Sequence, residues 1–399
     1  MQTQPRTGYV PLYFLAALGA GGLMVTFFLY LMFWVPHPGQ SVPVFKDITR
    51  AFSAGTPLQQ AMIVAAWAGI AGFALLMFRS LAWNLRTLAA YRRTEGHDKL
   101  MASNAGSQLL AVPLALAMAV NGGFILGLVF VPGLWGVVEY LFPLAMIAFT
   151  AIGAYGLKLY GRFLAERLGK GGIDCAANNS FAQTLPGFAF AMVGVGLAAP
   201  AAMSTVKATV AVSIMLSSFF ILLALVIALV TMVMGLRAMM EHGANAEAAP
   251  TLLIAIPLLT VVAIAWLRQA HGLHVHFDVH GGPASSFLML LPLLALQLVT
   301  ALFGLTVLRA QGYFARFISG PERSPASYAL VCPGVALSVM LQFFVNKGLV
   351  GAGVIEKFSA VYWAATAPAL MLQLATIALV LKLNAKHFGG EKTPVALAA

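Results

Sequence analysis

The chain has 399 residues, 61% of them hydrophobic and only 9% charged, with a formal net charge of +11. Apolar runs of about 18 or more residues recur along it, each long enough to cross a bilayer core of roughly 30 Å, which excludes an ordinary soluble domain. No stretch resembles a nucleic-acid-binding module, so the positive charge is read against the lipid bilayer. It is either a bias toward one membrane face with attraction to anionic lipid, or a basic vestibule that concentrates a permeating anion.

Ten spans are predicted, at 10–35, 58–83, 107–131, 134–160, 184–205, 208–236, 250–268, 285–308, 327–346 and 358–383, in a single polytopic membrane domain over 1–399. The first run, Val10 to Val35, exceeds the roughly 7–15-residue core of a secretory signal and has no small-residue cleavage pattern after it, so it is read as a span. Its first turn carries Pro11, and the third, fifth, seventh and ninth runs carry Pro113, Pro186, Pro257 and Pro333 in corresponding places. Proline removes an intrahelical hydrogen bond and kinks a helix, which a membrane tolerates mainly where protein or a water-filled cavity satisfies the freed carbonyl. The alternation predicts odd spans that line something, with even spans packed around them. The steps between these prolines are 102, 73, 71 and 76 residues, a weak repeat consistent with five helical hairpins closing into a ring. The competing reading is that proline is common in membrane helices; Pro143, Pro292 and Pro368 stand in even spans.

Setting the five prolines in register places Gly19, Asn121, Gly194, Ala265 and Leu341 eight residues on, and Gly21, Gly123, Gly196, Leu267 and Phe343 ten residues on. Gly19, Gly21, Asn121, Gly123, Gly194 and Gly196 are therefore the expected pore-lining positions. Small residues also let helices approach closely, and the two roles are compatible.

Of the 12 acidic residues only Glu139 falls within a predicted span, near its outer end, so no carboxylate or histidine relay for proton coupling lies at depth. The lack of histidine in the spans also argues against haem ligation. The neutral polar groups Ser213, Ser217, Ser218, Gln297, Ser338, Gln342, Asn346 and Gln373 are expected to form interhelical hydrogen bonds. The segment LRQAHGLHVHFDVHGG gathers His271, His274, His276, Asp278 and His280 in an outward-facing loop. Extended, it would put His276, Asp278 and His280 on one face, a donor set suited to zinc or copper; the alternative is a solvated polar loop, since no regular metal motif is matched. Cys175 and Cys332 fall in different parts of the chain, so neither a disulfide nor a thiolate metal site follows. No nucleophile with a nearby base, phosphate-binding loop or carboxylate pair can be assembled, and neither catalysis nor a cofactor is expected.

Lys and Arg number 17 on the side of the N-terminus, Arg6, Lys170 and Lys392 among them, against six on the other: Lys46, Arg50, Lys207, Arg268, Lys347 and Lys357. Positively charged loops resist translocation, so both termini are expected in the cytoplasm and the chain in the inner (plasma) membrane.

Ten spans, cytoplasmic termini and odd-span prolines together resemble the tellurite-resistance/dicarboxylate transporter family, which includes the plant slow-type anion channels. Similar segments are VPLYFLAALGAGGL in the first span, LPGFAFAMVGVGLAAP in the fifth and CPGVALSVM in the ninth. The resemblance implies an all-helical membrane fold of five hairpins around a central pore, often assembled as a homotrimer, that passes small anions or organic acids as a channel or uniporter. It also implies a gate formed by a phenylalanine of the ninth span close to its proline. Here Cys332 precedes Pro333, and the register argument selects Phe343 as that gate. A membrane sensor or metal-handling protein using the histidine loop is the alternative.

Overall fold

A computed structural model describes residues 8–169 and 171–389; Arg6, Lys170 and Lys392 lie outside the described residues. Among the described residues the protein is helical throughout, without a strand. Among the described residues ten helices are long and apolar enough to cross a membrane: Pro11–Trp34, Pro57–Tyr91, Asn104–Phe130, Leu134–Arg167, Ala182–Met203, Lys207–His242, Ala249–Phe277, Ser285–Ala310, Pro325–Val350 and Ala360–Phe388.

The odd and even spans differ in how deeply they are buried. In their most apolar stretches the odd spans bury 78, 56, 89, 67 and 72% of their residues, whereas the even spans bury 28, 28, 28, 22 and 28%. Sequence explains the difference. The odd spans carry small residues that admit close neighbours on every side, while the even spans turn long side chains such as Leu222, Leu229, Leu302 and Leu374 outward. The first span packs on the third, the third on the fifth, the fifth on the seventh, the seventh on the ninth, and the ninth on the first. Each odd span also packs on the even span that follows it.

Every odd span opens with a 3-10 turn, at Pro11–Tyr13, Asn104–Leu110, Ala182–Thr184, Ala249–Leu253 and Pro325–Leu330. Pro11 begins its turn. Pro113, Pro186, Pro257 and Pro333 stand second or third in the α-helical segments that start at Ala111, Leu185, Ala255 and Val331. The first N–H groups of an α-helix have no partner four residues back, so proline there forfeits little. The five prolines thus mark a change of helix type at one end of each buried span.

Neutral polar side chains tie neighbouring spans together. Ser213 Oγ donates to Leu197 O (2.6 Å), Ser217 Oγ to Gly194 O (2.8 Å), and Ser338 Oγ to Ala369 O (2.7 Å). Gln297 Nε2 donates to Ile256 O at 2.8 Å and to Thr260 Oγ1 at 2.7 Å. Glu139 accepts from Ser204 Oγ (2.8 Å), Thr205 N (2.6 Å) and Thr205 Oγ1 (2.9 Å), so its carboxylate anchors the fourth span to the turn before the sixth. Tyr13 Oη lies 3.0 Å from His387 Nδ1, which brings the start of the first span and the end of the tenth together at one end of the bundle.

Several span ends lie beyond expectation: the second span runs to Tyr91, the fourth to Arg167 and the sixth to His242. The seventh span stays helical to Phe277, where Asp278 ends it with a left-handed backbone (φ 59°), so His271, His274 and His276 stand on a helix and not in an extended loop. The segment 36–56 contains the helix Phe45–Ala54, on which Ile48 is fully buried and Asp47 accepts a hydrogen bond from the backbone N–H of Val44.

Candidate functional site: a cationic cavity inside the odd spans

A cavity of about 1360 Å³ is bordered by all five odd spans. One end is formed by Phe188, Pro257 and Cys332, near the proline level; the other reaches His37, Ser41, His274 and Lys347 at the end of the bundle away from the termini. Most of the wall is apolar. Among the described residues no carboxylate borders it, whereas Arg268 and Lys347 both do.

Arg268 is positioned by the end of a neighbouring helix. The α-helical segment Leu185–Leu197 of the fifth span stops where Pro200 withholds an N–H, and the carbonyls of a last helical turn need outside donors. Ser217 serves Gly194 O, Ser213 serves Leu197 O, and Arg268 Nη1 donates to Val195 O at 2.8 Å. A cation at a helix C-terminus also complements the helix dipole. One turn along the seventh span, His271 shares the cavity wall with Lys347, which belongs to the π-helical end of the ninth span, Phe344–Val350. In the adjoining loop, partial burial and then the charge of Lys347 draw the Lys357 ammonium below the ordinary lysine range.

The expected lining residues divide. Gly19, Asn121 and Gly196 border the cavity; Gly21, Gly123 and Gly194 do not. Gly21 and Gly194 are close-approach positions, where a Cβ would meet Met77 Sδ at 2.6 Å and Ile221 Cγ1 at 2.8 Å, while Gly123 is exposed with nothing within 4 Å. Gly19 and Gly196 combine both roles, being also seats for Val331 and the Phe149 ring. Of the five prolines only Pro257 reaches the cavity.

Phe343 borders the cavity. Val335 and Val339 lie on one side of it along the ninth span and Lys347 on the other, all on the same wall. Its ring meets Phe33 edge-on with centroids 5.3 Å apart, and it is 7% exposed. The expected gate residue is thus packed against the first span where it borders the cavity. At the proline level the wall carries another aromatic, Phe188, two residues after Pro186.

The five candidate metal ligands do not converge. His271 Nε2 lies 3.4 Å from Ser41 Oγ and His276 Nε2 is 3.0 Å from Ser204 O. Only His274, His280 and Asp278 are linked: His280 Nδ1 lies 3.0 Å from His274 Nδ1, and its other ring nitrogen, Nε2, is 2.7 Å from Asp278 Oδ1. Asp278 thus addresses the far side of the ring, and among the described residues no group of three or more His, Cys, Asp or Glu side chains could hold a metal ion.

Sequence reasoning missed Arg268, counting it with the loop charges because the predicted span ended there. A signal was present. Pro257, Thr260, Ile264, Arg268 and His271 recur at helical spacing, and all five border the cavity.

The fold defines a class: among the described residues, an all-helical protein with ten helices long and apolar enough to cross a membrane. Compared with known proteins, the chain matches no family model, no curated protein and no solved structure.

Proposed function

We propose that the protein is a passive anion channel or uniporter, with the odd spans of five helical hairpins surrounding a central passage and the even spans facing lipid. The observation that carries this reading is the cavity bordered by Arg268 and Lys347 with no carboxylate among the described residues on its wall. A low-dielectric cleft lined by one sign of charge raises the local concentration of the opposite ion. The histidines that border the cavity, His37, His271, His274, His276 and His280, gather toward the end away from the termini, and among the described residues no carboxylate joins them on the wall. This suits conduction without proton coupling, because relays in membrane proteins run through the depth of the bundle on chains of such groups. Placement in the inner membrane with both termini cytoplasmic, and assembly as a homotrimer, belong to the same proposal.

The test is reconstitution into liposomes with opposed gradients of chloride, nitrate, sulfite and malate salts. The reversal potential should follow the anion gradient. A potential that follows the cation would sink the reading.

A further inference from the structure

Arg268 has more hydrogen-bonding capacity than its neighbours use. Its guanidinium carries five N–H donors, and Nη1 is held on Val195 O at 2.8 Å. Among the described residues no other hydrogen bond and no ion pair engages it, and the residue borders the cavity. The tether also sets orientation. With Nη1 on the fifth span, the opposite edge of the planar group, Nε and Nη2, keeps two parallel donors free.

Two parallel N–H groups match two coplanar oxygens, and such fork-to-fork pairing is stronger and more directional than a single contact. A spherical halide can use the charge but not the geometry. Lys347, on the neighbouring ninth span, adds a point charge, and among the described residues no carboxylate on the wall competes for either cation. The surrounding wall is apolar, with Ile264 and Leu267 beside Arg268, so a bound ion would exchange water for a largely preset site.

We propose that Arg268 forms a carboxylate-binding subsite on the cavity wall, gripping a small carboxylate through Nε and Nη2 while Nη1 stays on Val195. Lys347 contributes attraction, not orientation. The subsite rests on the reading of the cavity as an anion passage, and it adds selectivity for carboxylates over halides within that passage.

The experiment measures currents through the reconstituted full-length protein as a function of formate and of chloride concentration. In the wild-type protein formate should half-saturate at a concentration about tenfold below chloride, because only formate uses both donors of the fork. Arg268→Lys keeps the charge and loses the fork, so it should raise the formate half-saturation about tenfold while moving that of chloride by no more than about threefold. Lys347→Gln should weaken both anions by similar factors. Equal half-saturation for formate and chloride in the wild-type protein would overturn the subsite without recourse to any variant. So would an Arg268→Lys variant that shifts both anions alike. Absence of anion current in every preparation would instead remove the passage reading itself.

Discussion

At the scale of single residues, the packing of Phe343 decides what its removal does. The ring is almost fully buried against Phe33, and Val335, Val339 and Lys347 on the same span border the cavity with it, so truncation removes core contacts. Phe343→Ala should therefore destabilise the protein by roughly 3–5 kcal/mol, the usual cost of deleting a buried phenylalanine, and leave anion conductance unraised. Thermal unfolding and conductance measured on one preparation check both halves; a large rise in conductance at unchanged stability would instead support the gate assignment. Glu139 makes a second residue-level case. Its carboxylate takes three donors from Ser204 and Thr205, so Glu139→Ala should cost roughly 1–3 kcal/mol by stripping charged hydrogen bonds from a turn. Glu139 itself does not border the cavity, although Ser204 and Thr205 do, so ion selectivity should not move, which a reversal-potential measurement on the variant would establish.

At the scale of elements, the joints between spans are polar and modest. Gln297 on the eighth span donates to Thr260 on the seventh, and the Thr260 hydroxyl lies 3.0 Å from Ala336 O on the ninth, so one threonine joins three spans. Thr260→Val keeps the shape and removes both links. It should lower stability by about 0.6–1.7 kcal/mol, the range found for hydrogen bonds between membrane helices. Gln297→Leu should cost less, because Gln297 Oε1 is buried without a partner and its loss removes an unsatisfied group along with the bonds. Ranking the two variants by thermal unfolding tests this, and a Gln297→Leu protein weaker than Thr260→Val would contradict it. The same elements explain what was legible beforehand. The ten spans were readable because apolar length is a local property, and proline position separated the more buried spans from the more exposed. Helix rotation was not readable. A span buried on all sides has no polar face to fix its phase, so aligning Gly19, Gly21, Gly123, Gly194 and Gly196 by their prolines assumed a common rotation the bundle does not have. The histidines were misplaced for the converse reason: polar residues end a hydropathy run, but backbone hydrogen bonds carry the helix on to Phe277.

At the scale of the whole molecule, the structure sharpens the charge asymmetry from which the orientation is proposed. Six of the Lys and Arg residues belong to the end away from the termini, and two of these, Arg268 and Lys347, face the cavity. Only Lys46, Arg50, Lys207 and Lys357 remain for the loops and helix ends at that surface, against the 17 on the other side. The rule that positive loops stay in the cytoplasm therefore applies with a wider margin than the bare count gives. The protein carries its own probe of the result, since Cys175, in the segment between the fourth and fifth spans, is exposed and Cys332 is buried. An impermeant thiol reagent added to intact cells should leave Cys175 unmodified, then label it once the membrane is permeabilised. Gly282→Cys, at the opposite end where nothing lies within 4 Å of the added Cβ, should react in intact cells. If Cys175 reacts from outside and Gly282→Cys does not, the orientation is inverted. The cavity, which reaches the Gly282 end, would then collect anions from the cytoplasm and not from outside.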